Sequence, residues 1–247
     1  AFTFSGLSQE SVVEDVLRRL KKMNSKATFF VTDAEVRQNS RLIRRIIAQG
    51  HEVGIAVRPR DTNSVEQTRR QLRVTFEQLR RNFGVESNLV KQHLAAITPN
   101  TIQAVQEERL RLIGHTVTAV QIKHKDYNSV AQIMAELFPK SHQSLSRGQI
   151  VHFRLDFYSN SRIAGELIEA IKKEKIDNIA FSTPYDNPQI NPSNDSSYSI
   201  KPVGQILSNK TFVYNYPVDI KTLPEIVRSE SSSDKNKNLR LMELMSR

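Results

Sequence analysis

The chain of 247 residues carries 36 lysines and arginines against 26 acidic residues, which gives a net charge of +10. Hydrophobic residues make up 38% and charged residues 25% of the chain, so a collagenous, coiled-coil or wholly disordered protein is excluded. Because there is no cysteine, a disulfide framework, a thiolate zinc site, an iron–sulfur cluster and a cysteine nucleophile are excluded too. No apolar run approaches the roughly 20 residues that a membrane-spanning helix needs.

Strands and helices are predicted to alternate along the first three quarters of the chain. The strands are short apolar runs bounded by turn residues, at 1–4, 26–31, 53–57, 89–90, 116–122, 150–155 and 178–181. A segment with apolar residues at helical spacing fills each interval. Ser8, Asn39 and Ser64 are the predicted N-caps, and Gly50 ends the second helix. This alternation is typical of a parallel sheet or barrel with right-handed crossovers.

The composition changes after the last of these strands, where prolines and polar residues predict a loop. Two strand candidates follow at 198–206 and 211–216, joined by a hairpin-like turn at 208–210. The polar run 229–237 resembles a solvated linker, and apolar residues at 239–245 predict a short helix. The predicted organisation is therefore a first domain at 1–182, an extension at 183–228, a linker with a short helix at 229–247 and a further domain after Arg247.

Three sequence blocks carry a resemblance to a known family. They are Ala-Phe-Thr-Phe-Ser-Gly at 1–6, Lys-Ala-Thr-Phe-Phe-Val-Thr at 26–32 and Gln-Gly-His-Glu-Val-Gly at 49–54. In this order and spacing they resemble the polysaccharide deacetylases of the NodB-homology group, carbohydrate esterases that remove N-acetyl groups from chitin- or peptidoglycan-like polymers. The resemblance covers residues 1–182 and implies a bacterial protein at the cell surface or outside the cell. The fold class expected is α/β, a distorted parallel (β/α) barrel with a short C-terminal β-hairpin or helical extension.

The motifs that carry catalysis in this family are altered here. Family members read Thr-Phe-Asp-Asp-Gly at the end of the first strand, where one aspartate is the general base and the next binds a divalent metal. This chain reads Thr-Phe-Ser-Gly, with Ser5 at the place of a carboxylate. The two metal-binding histidines of the family correspond to Ala56 and Arg60. The resemblance thus implies a site that has lost its metal ligands and its base.

Two further motifs differ in the same way. The arginine that orients the base in family members corresponds to Lys91, in a segment that also holds His93. The late Leu-x-His motif falls at 150–154, where Arg154 takes the place of the catalytic histidine. His152 lies two residues earlier on the same side of the strand, so a shifted register would restore an imidazole.

These losses predict a domain with no catalytic metal, no cofactor and no catalytic residue. Metal-assisted hydrolysis needs about three protein ligands and an open position, and a guanidinium stays protonated and cannot be a ligand. We expect Arg60 and Arg154 to lie where the cation would be, with Asp61 or Asp156 as the counter-ion. The candidate cleft comprises Ser5, Ala56, Arg58, Arg60, Asp61, Lys91, His93, His152, Arg154 and Asp156.

The basic cluster of the long helix and the remaining histidines have simpler interpretations. Glu66 is predicted to pair with Arg70 at i,i+4 spacing, and Glu77 with Arg81 in the same way. Such pairs are typical of a solvated helix face, and without an aromatic series beside them nucleic-acid binding is not expected. His51 is interpreted as a structural residue between a helix and a strand. No other histidine has a partner at metal-ligand spacing, which leaves packing or solvation for His115, His124 and His142.

The sequence supports three functional hypotheses. The first is a catalytically inactive deacetylase-like domain that binds anionic or N-acetylated cell-wall polysaccharide or supports a neighbouring domain. The second is an active hydrolase of N-acetyl carbon–nitrogen bonds with a rearranged site, built from His152, Asp156, His93 or Lys91. The third is a structural interaction module that uses residues 183–216 as its surface.

Overall fold

A curled sheet of seven strands forms the centre of the structure. The computed structural model describes residues 1–7, 9–58, 64–92, 97–115, 117–119, 129–137, 145–146, 150–158, 162–173, 176–177, 192–193 and 200–208. The sheet contains β1 (Phe2–Ser5), β2 (Thr28–Val31), β3 (Glu52–Val57), β4 (Leu89–Gln92), β5 (Arg111–Leu112), β6 (Val117–Thr118) and β8 (Val151–Arg154). Its order is β5-β4-β3-β2-β1-β8-β6, and every neighbouring pair is parallel. The predicted distorted parallel (β/α) barrel is confirmed.

Helices alternate with these strands along the chain. They are α1 (Glu10–Lys22), α2 (Asp33–Gln38), α3 (Ser40–Ala48), α4 (Val65–Phe83), α5 (Pro99–Glu107), α6 (Val130–Leu137), α7 (Ile163–Lys173) and α8 (Val203–Ser208). Three short strands, β7 (Leu145–Ser146), β9 (Ile176–Asp177) and β10 (Pro192–Ser193), form a second sheet in the order β10-β9-β7. Within the described part of the chain, no helix is long and apolar enough to cross a membrane.

The five inner strands of the barrel, β1, β2, β3, β4 and β8, are largely buried on both faces, and the two faces carry different side chains. On β1, Phe4 stacks on Phe29 of β2 and on Phe153 of β8, with ring centroids 4.8 and 5.0 Å apart, in the core beneath the helices. Successive side chains of a strand point to opposite faces, so Thr3 and Ser5 face the barrel interior. A smaller apolar cluster fills that interior and consists of Phe30, Ala56, Leu89, Ile113 and Val203.

Most predicted helices and strands are confirmed within a few residues, and their caps are confirmed in part. Ser64 begins α4 with a capping box in which its hydroxyl accepts from the Gln67 N–H. Asn39 precedes α3 without a side-chain cap, because its amide donates to the Leu7 carbonyl at 3.3 Å. The predicted cap Ser8 lies outside the described residues.

Some local predictions are wrong or incomplete. The second half of the strand predicted at 198–206 is wrong, because Val203–Ser208 is helical. The short elements α2, β5, β7 and β10 are additional to the predicted ones, and β10 lies in the segment predicted as a loop. Three predicted segments lie outside the described residues, at 178–181, 211–216 and 229–247. The division of the chain into three regions stays a prediction.

The segment that contains α8 closes the N-terminal end of the barrel. The Val203 N–H donates to Thr28 Oγ1 at 2.9 Å, and the Gly204 N–H donates to Glu52 Oε2 at 3.0 Å. Thr28 and Glu52 are the first residues of β2 and β3. In parallel barrels the active sites lie at the opposite, C-terminal end of the strands, so that end is where functional side chains are to be sought.

Gly54 leaves the space that the Phe30 ring occupies inside the barrel. A Cβ at position 54 would lie 2.6 Å from Phe30 Cε1 and 3.2 Å from the Leu89 carbonyl oxygen. We expect Gly54→Ala to lower the free energy of unfolding by about 1–3 kcal/mol, the usual cost of overpacking a core. Gly114→Ala is the matched control, because a Cβ there meets nothing within 4 Å. Urea denaturation of both variants checks this, and equal stabilities would contradict the packing described here.

Candidate functional site

The parallel register of β1 and β8 places an imidazole between two hydroxyl groups. Thr3 is paired with His152, and Ser5 with Arg154. Thr3 Oγ1 lies 2.9 Å from His152 Nδ1, and Ser5 Oγ lies 3.1 Å from His152 Nε2. All three side chains are buried. His152 is therefore held by hydrogen bonds on both ring nitrogens, inside the barrel near the C-terminal ends of these strands.

The next side chain on the same face of β8, Arg154, forms a salt bridge. Arg154 Nε donates to Asp156 Oδ1 at 2.8 Å, and Arg154 Nη2 also donates to Asp156 Oδ2. The guanidinium lies over the Phe157 ring, 4.0 Å from its centroid. Its side chain is only 9% exposed. The sequence prediction that Arg154 places a guanidinium in this cleft with Asp156 as its counter-ion is consistent with this geometry.

Asp156 also fills the space beside Gly6, in the altered motif of the first strand. Gly6 has a φ of +80°, in the left-handed region that favours glycine. A Cβ at this position would lie 2.2 Å from Asp156 Oδ1. A side chain at position 6 and the carboxylate of Asp156 therefore exclude one another.

The register of β3 and β4 pairs Ala56 with Lys91. Lys91 is 3% exposed, and its ammonium donates to His115 Nδ1 at 3.2 Å and lies 3.4 Å from the Gly114 carbonyl oxygen. Burial lowers the pKa of Lys91 to about 8. Burial, and then the charge of Lys91, lowers the pKa of His115. The neutral His115 ring can thus accept a hydrogen bond from the ammonium, a role that requires its Nδ1 to be unprotonated.

The His115 ring connects the two halves of the cleft. Its centroid lies 5.7 Å from that of His152, and the two planes are inclined by 30°. Lys91 on one side and Ser5 on the other are thereby linked through two imidazoles. His115 itself is exposed, so this part of the cleft reaches the surface.

The donor set of the described cleft does not fit the divalent metal of the family. By the sequence resemblance, Ser5 and Ala56 correspond to two of the three ligand places; alanine offers no donor, and a serine hydroxyl is not among the usual ligands of zinc. In the part of the chain that the structure describes, no three histidine, aspartate or glutamate side chains converge on a point. Two buried cations, Lys91 and Arg154, would also oppose a third.

The structure brings together only some of the predicted cleft residues. Those that line the described cleft are Ser5, Ala56, Lys91, His152, Arg154 and Asp156. Arg58 is exposed just beyond β3. Arg60, Asp61 and His93 lie outside the described residues, so their roles stay predictions. Thr3 was not among the predicted residues and could have been found from its alternation with Ser5. His115, for which packing or solvation was predicted, instead contacts Lys91, and it follows the unpredicted β5.

His51 lies at the other end of the barrel, which fits its predicted structural role. Its Nδ1 accepts a hydrogen bond from the Ala27 N–H at 3.2 Å, and the side chain is buried. Burial, together with the charge of Lys26, lowers the pKa of His51 to about 4. The ring is therefore neutral at pH 7 and holds β3 beside the start of β2.

The basic face of α4 is largely paired with carboxylates. Arg69 and Arg73 both bind Glu108, at 2.6 and 2.8 Å. The predicted pair of Glu77 with Arg81 is confirmed at 3.3 Å, whereas Glu66 binds Arg69 rather than the predicted Arg70. One turn of helix separates i from both i+3 and i+4, and the i+3 partner is the one selected here. This pairing favours a solvated face over a polyanion site.

Replacing Lys91 by methionine tests whether the buried ammonium group lowers the stability of the folded chain. Lowering the pKa of Lys91 from the ordinary 10.5 to about 8 corresponds to about 3 kcal/mol. We therefore expect Lys91→Met to raise the free energy of unfolding at pH 7 by up to that amount. Between these two pH values the unfolded chain binds more protons than the folded one, so the wild type gains stability as the pH rises. The advantage of the variant is thus full below pH 8 and lost by pH 10.5.

Denaturant titrations at several pH values check this prediction. Lys173→Met is the matched control, because Lys173 is an exposed lysine at the end of α7. A Lys91→Met variant that is less stable than the wild type at pH 7 would contradict the described environment.

Known proteins share both sequence and fold with this chain. Residues 1–113 match the family model described as Polysaccharide deacetylase. The peptidoglycan-N-acetylglucosamine deacetylase PgdA of Listeria monocytogenes is 46% identical over 54 residues, which are 22% of this chain and 12% of PgdA. The match thus spans a small part of that protein.

Solved structures extend the likeness over most of the chain. The peptidoglycan deacetylase PdaC of Bacillus subtilis has a TM-score of 0.61 at 18% identity, over 83% of this chain and 88% of PdaC. BA3943 of Bacillus anthracis, a CE4 family pseudoenzyme, has a TM-score of 0.62 at 17% identity, over 83% of this chain and 63% of BA3943. The chain thus resembles the polysaccharide deacetylases in sequence over residues 1–113 and shares the fold of these solved structures.

Proposed function

We propose that this domain performs no metal-dependent deacetylation and instead binds N-acetylated cell-wall polysaccharide at the bacterial cell surface. The observation that carries the proposal is the pairing of both described ligand places with buried cations. Ser5 lies in register with Arg154, and Ala56 lies in register with Lys91. The family's cation site has thereby become a cleft lined by positive side chains.

Repulsion between like charges opposes the binding of a divalent metal ion in this cleft. A unit positive charge about 4 Å from a divalent ion opposes its binding by about 8 kcal/mol at an effective dielectric constant of about 20. A carboxylate added at position 5 would lie beside Arg154, which would bind it as a counter-ion. An imidazole added at position 56 would lie beside the Lys91 ammonium. Restoring one ligand alone is therefore insufficient.

The glycan part of the proposal is supported by the relatives and by the polar lining of the cleft. PgdA and PdaC are named as deacetylases of peptidoglycan; this chain resembles PgdA in sequence over 54 residues and shares the fold of PdaC. Asp156 is partly exposed and His115 is exposed, so both can reach sugar hydroxyl and amide groups. Binding without turnover needs only such groups, whereas deacetylation in this family needs the metal as well.

One contact favours a second candidate, a hydrolase with a metal-independent site. The Ser5 hydroxyl and the His152 imidazole are within hydrogen-bond reach, as in enzymes with an activated serine. Ser5 is, however, only 1% exposed, which leaves no approach for an acetyl carbonyl in this conformation. The geometry therefore favours a buried polar contact over a nucleophile.

An activity assay separates these candidates. We expect no acetate release from N-acetylglucosamine oligomers with added zinc or cobalt, because the cleft lacks the donors that would hold either ion. PdaC serves as the positive control, and calorimetry with each metal gives a second readout. Turnover that is lost with a chelator would contradict the proposal. Turnover that resists the chelator and is lost in Ser5→Ala would establish the second candidate instead.

A co-sedimentation assay tests the binding role. We expect the chain to sediment with insoluble peptidoglycan, and to do so less after the glycan has been chemically de-N-acetylated, because amines replace the amide acceptors and repel the cations of the cleft. An exposed-surface variant such as Lys173→Met should bind like the wild type. Equal recovery on both polymers, or none on either, would contradict recognition of the N-acetylated glycan.

A further inference from the structure

Among the residues that the structure describes, Lys91 is a buried positive charge of the cleft without a carboxylate partner. Lys91 contacts only the His115 ring and the Gly114 carbonyl group, and no carboxylate pairs with it among the residues that the structure describes. The carboxylate of Asp156 is engaged by both nitrogens of the Arg154 fork. A buried charge without a partner is costly, and a ligand of opposite charge would remove that cost.

The buried carboxylate of Glu35, near this end of the barrel, already has hydrogen-bond partners as well. Glu35 accepts hydrogen bonds from the backbone N–H groups of Leu7 and Thr32, both at 2.8 Å. It therefore organises the loop after β1 and the start of α2. The described cleft as a whole thus presents a single uncompensated ammonium.

We propose that this cleft receives the carboxylate of an acidic sugar, with the Lys91 ammonium as its counter-ion. The inference rests on the proposed glycan binding and names the chemical group that is recognised. One ammonium matches a singly charged carboxylate, and the Arg154 fork, already filled by Asp156, is not available for the bidentate contact that suits a phosphate group.

Two features of the surroundings of Lys91 favour access for a carboxylate. His115 is exposed and contacts the ammonium, so its ring connects Lys91 to the surface. A carboxylate oxygen can then replace His115 Nδ1 as the acceptor, in a stronger, charge-assisted hydrogen bond. The residue in register with Lys91 is Ala56, whose methyl group leaves more room beside the lysine than the histidine of the family would.

The test compares two sugars that differ in one carboxylate. N-acetylmuramic acid is N-acetylglucosamine with an added lactyl carboxylate, and binding of each to the whole chain is measured by titration and by saturation-transfer NMR. We expect the acidic sugar to bind about tenfold more tightly, which is a modest value for one charge-assisted contact. The preference should shrink as salt is added, because salt screens the attraction.

Two variants assign the effect to Lys91. Lys91→Met should abolish the preference for the acidic sugar, and Lys173→Met should retain it. Equal binding of the two sugars by the wild type, or a preference that survives in Lys91→Met, would overturn the inference and leave glycan binding standing. Failure of the folded chain to bind either sugar or peptidoglycan would overturn the proposed function as well.

Discussion

The parallel register of the barrel strands is the constraint on which the cleft depends. Neighbouring strands lie about 4.8 Å apart, so each inward side chain has a fixed neighbour on the next strand. β1 and β8 join Ser5 to Arg154, and β3 and β4 join Ala56 to Lys91. The two described residues that the resemblance assigns to metal-ligand places, Ser5 and Ala56, therefore each lie beside a cation. The absence of ligands and the presence of positive charge are two aspects of one arrangement.

The scaffold was predictable because its signals are long and periodic. The apolar stripe of α1 and the capping serine of α4 lie in helices of 13 and 19 residues, and both helices form as predicted. The errors lie in short elements, where tertiary contacts decide. Val203–Ser208 reads as an apolar strand but forms a helix that donates backbone N–H groups to Thr28 and Glu52. The sequence pattern contains no trace of those distant acceptors.

The site was predictable only where a family motif gave the position. Motif alignment identified Ser5, Ala56, Lys91 and Arg154, and the spacing of Asp156 from Arg154 made it a reasonable counter-ion. The contact between Lys91 and His115 could not be predicted, because it joins β4 to the residues after a two-residue strand. The meeting of His115 and His152 depends on the curl of the whole sheet, which brings positions 37 residues apart in sequence within ring contact.

The two cations of the cleft have different partners. Arg154 is neutralised by Asp156, whose carboxylate occupies the space that a side chain at position 6 would need. This half of the cleft is thus occupied by the protein's own salt bridge. Lys91 is held by a neutral imidazole and a carbonyl group, which stabilise an ammonium less than a carboxylate does. An apolar side chain would fill the same place without the desolvation cost, so a lysine there is best understood through an anion that it binds.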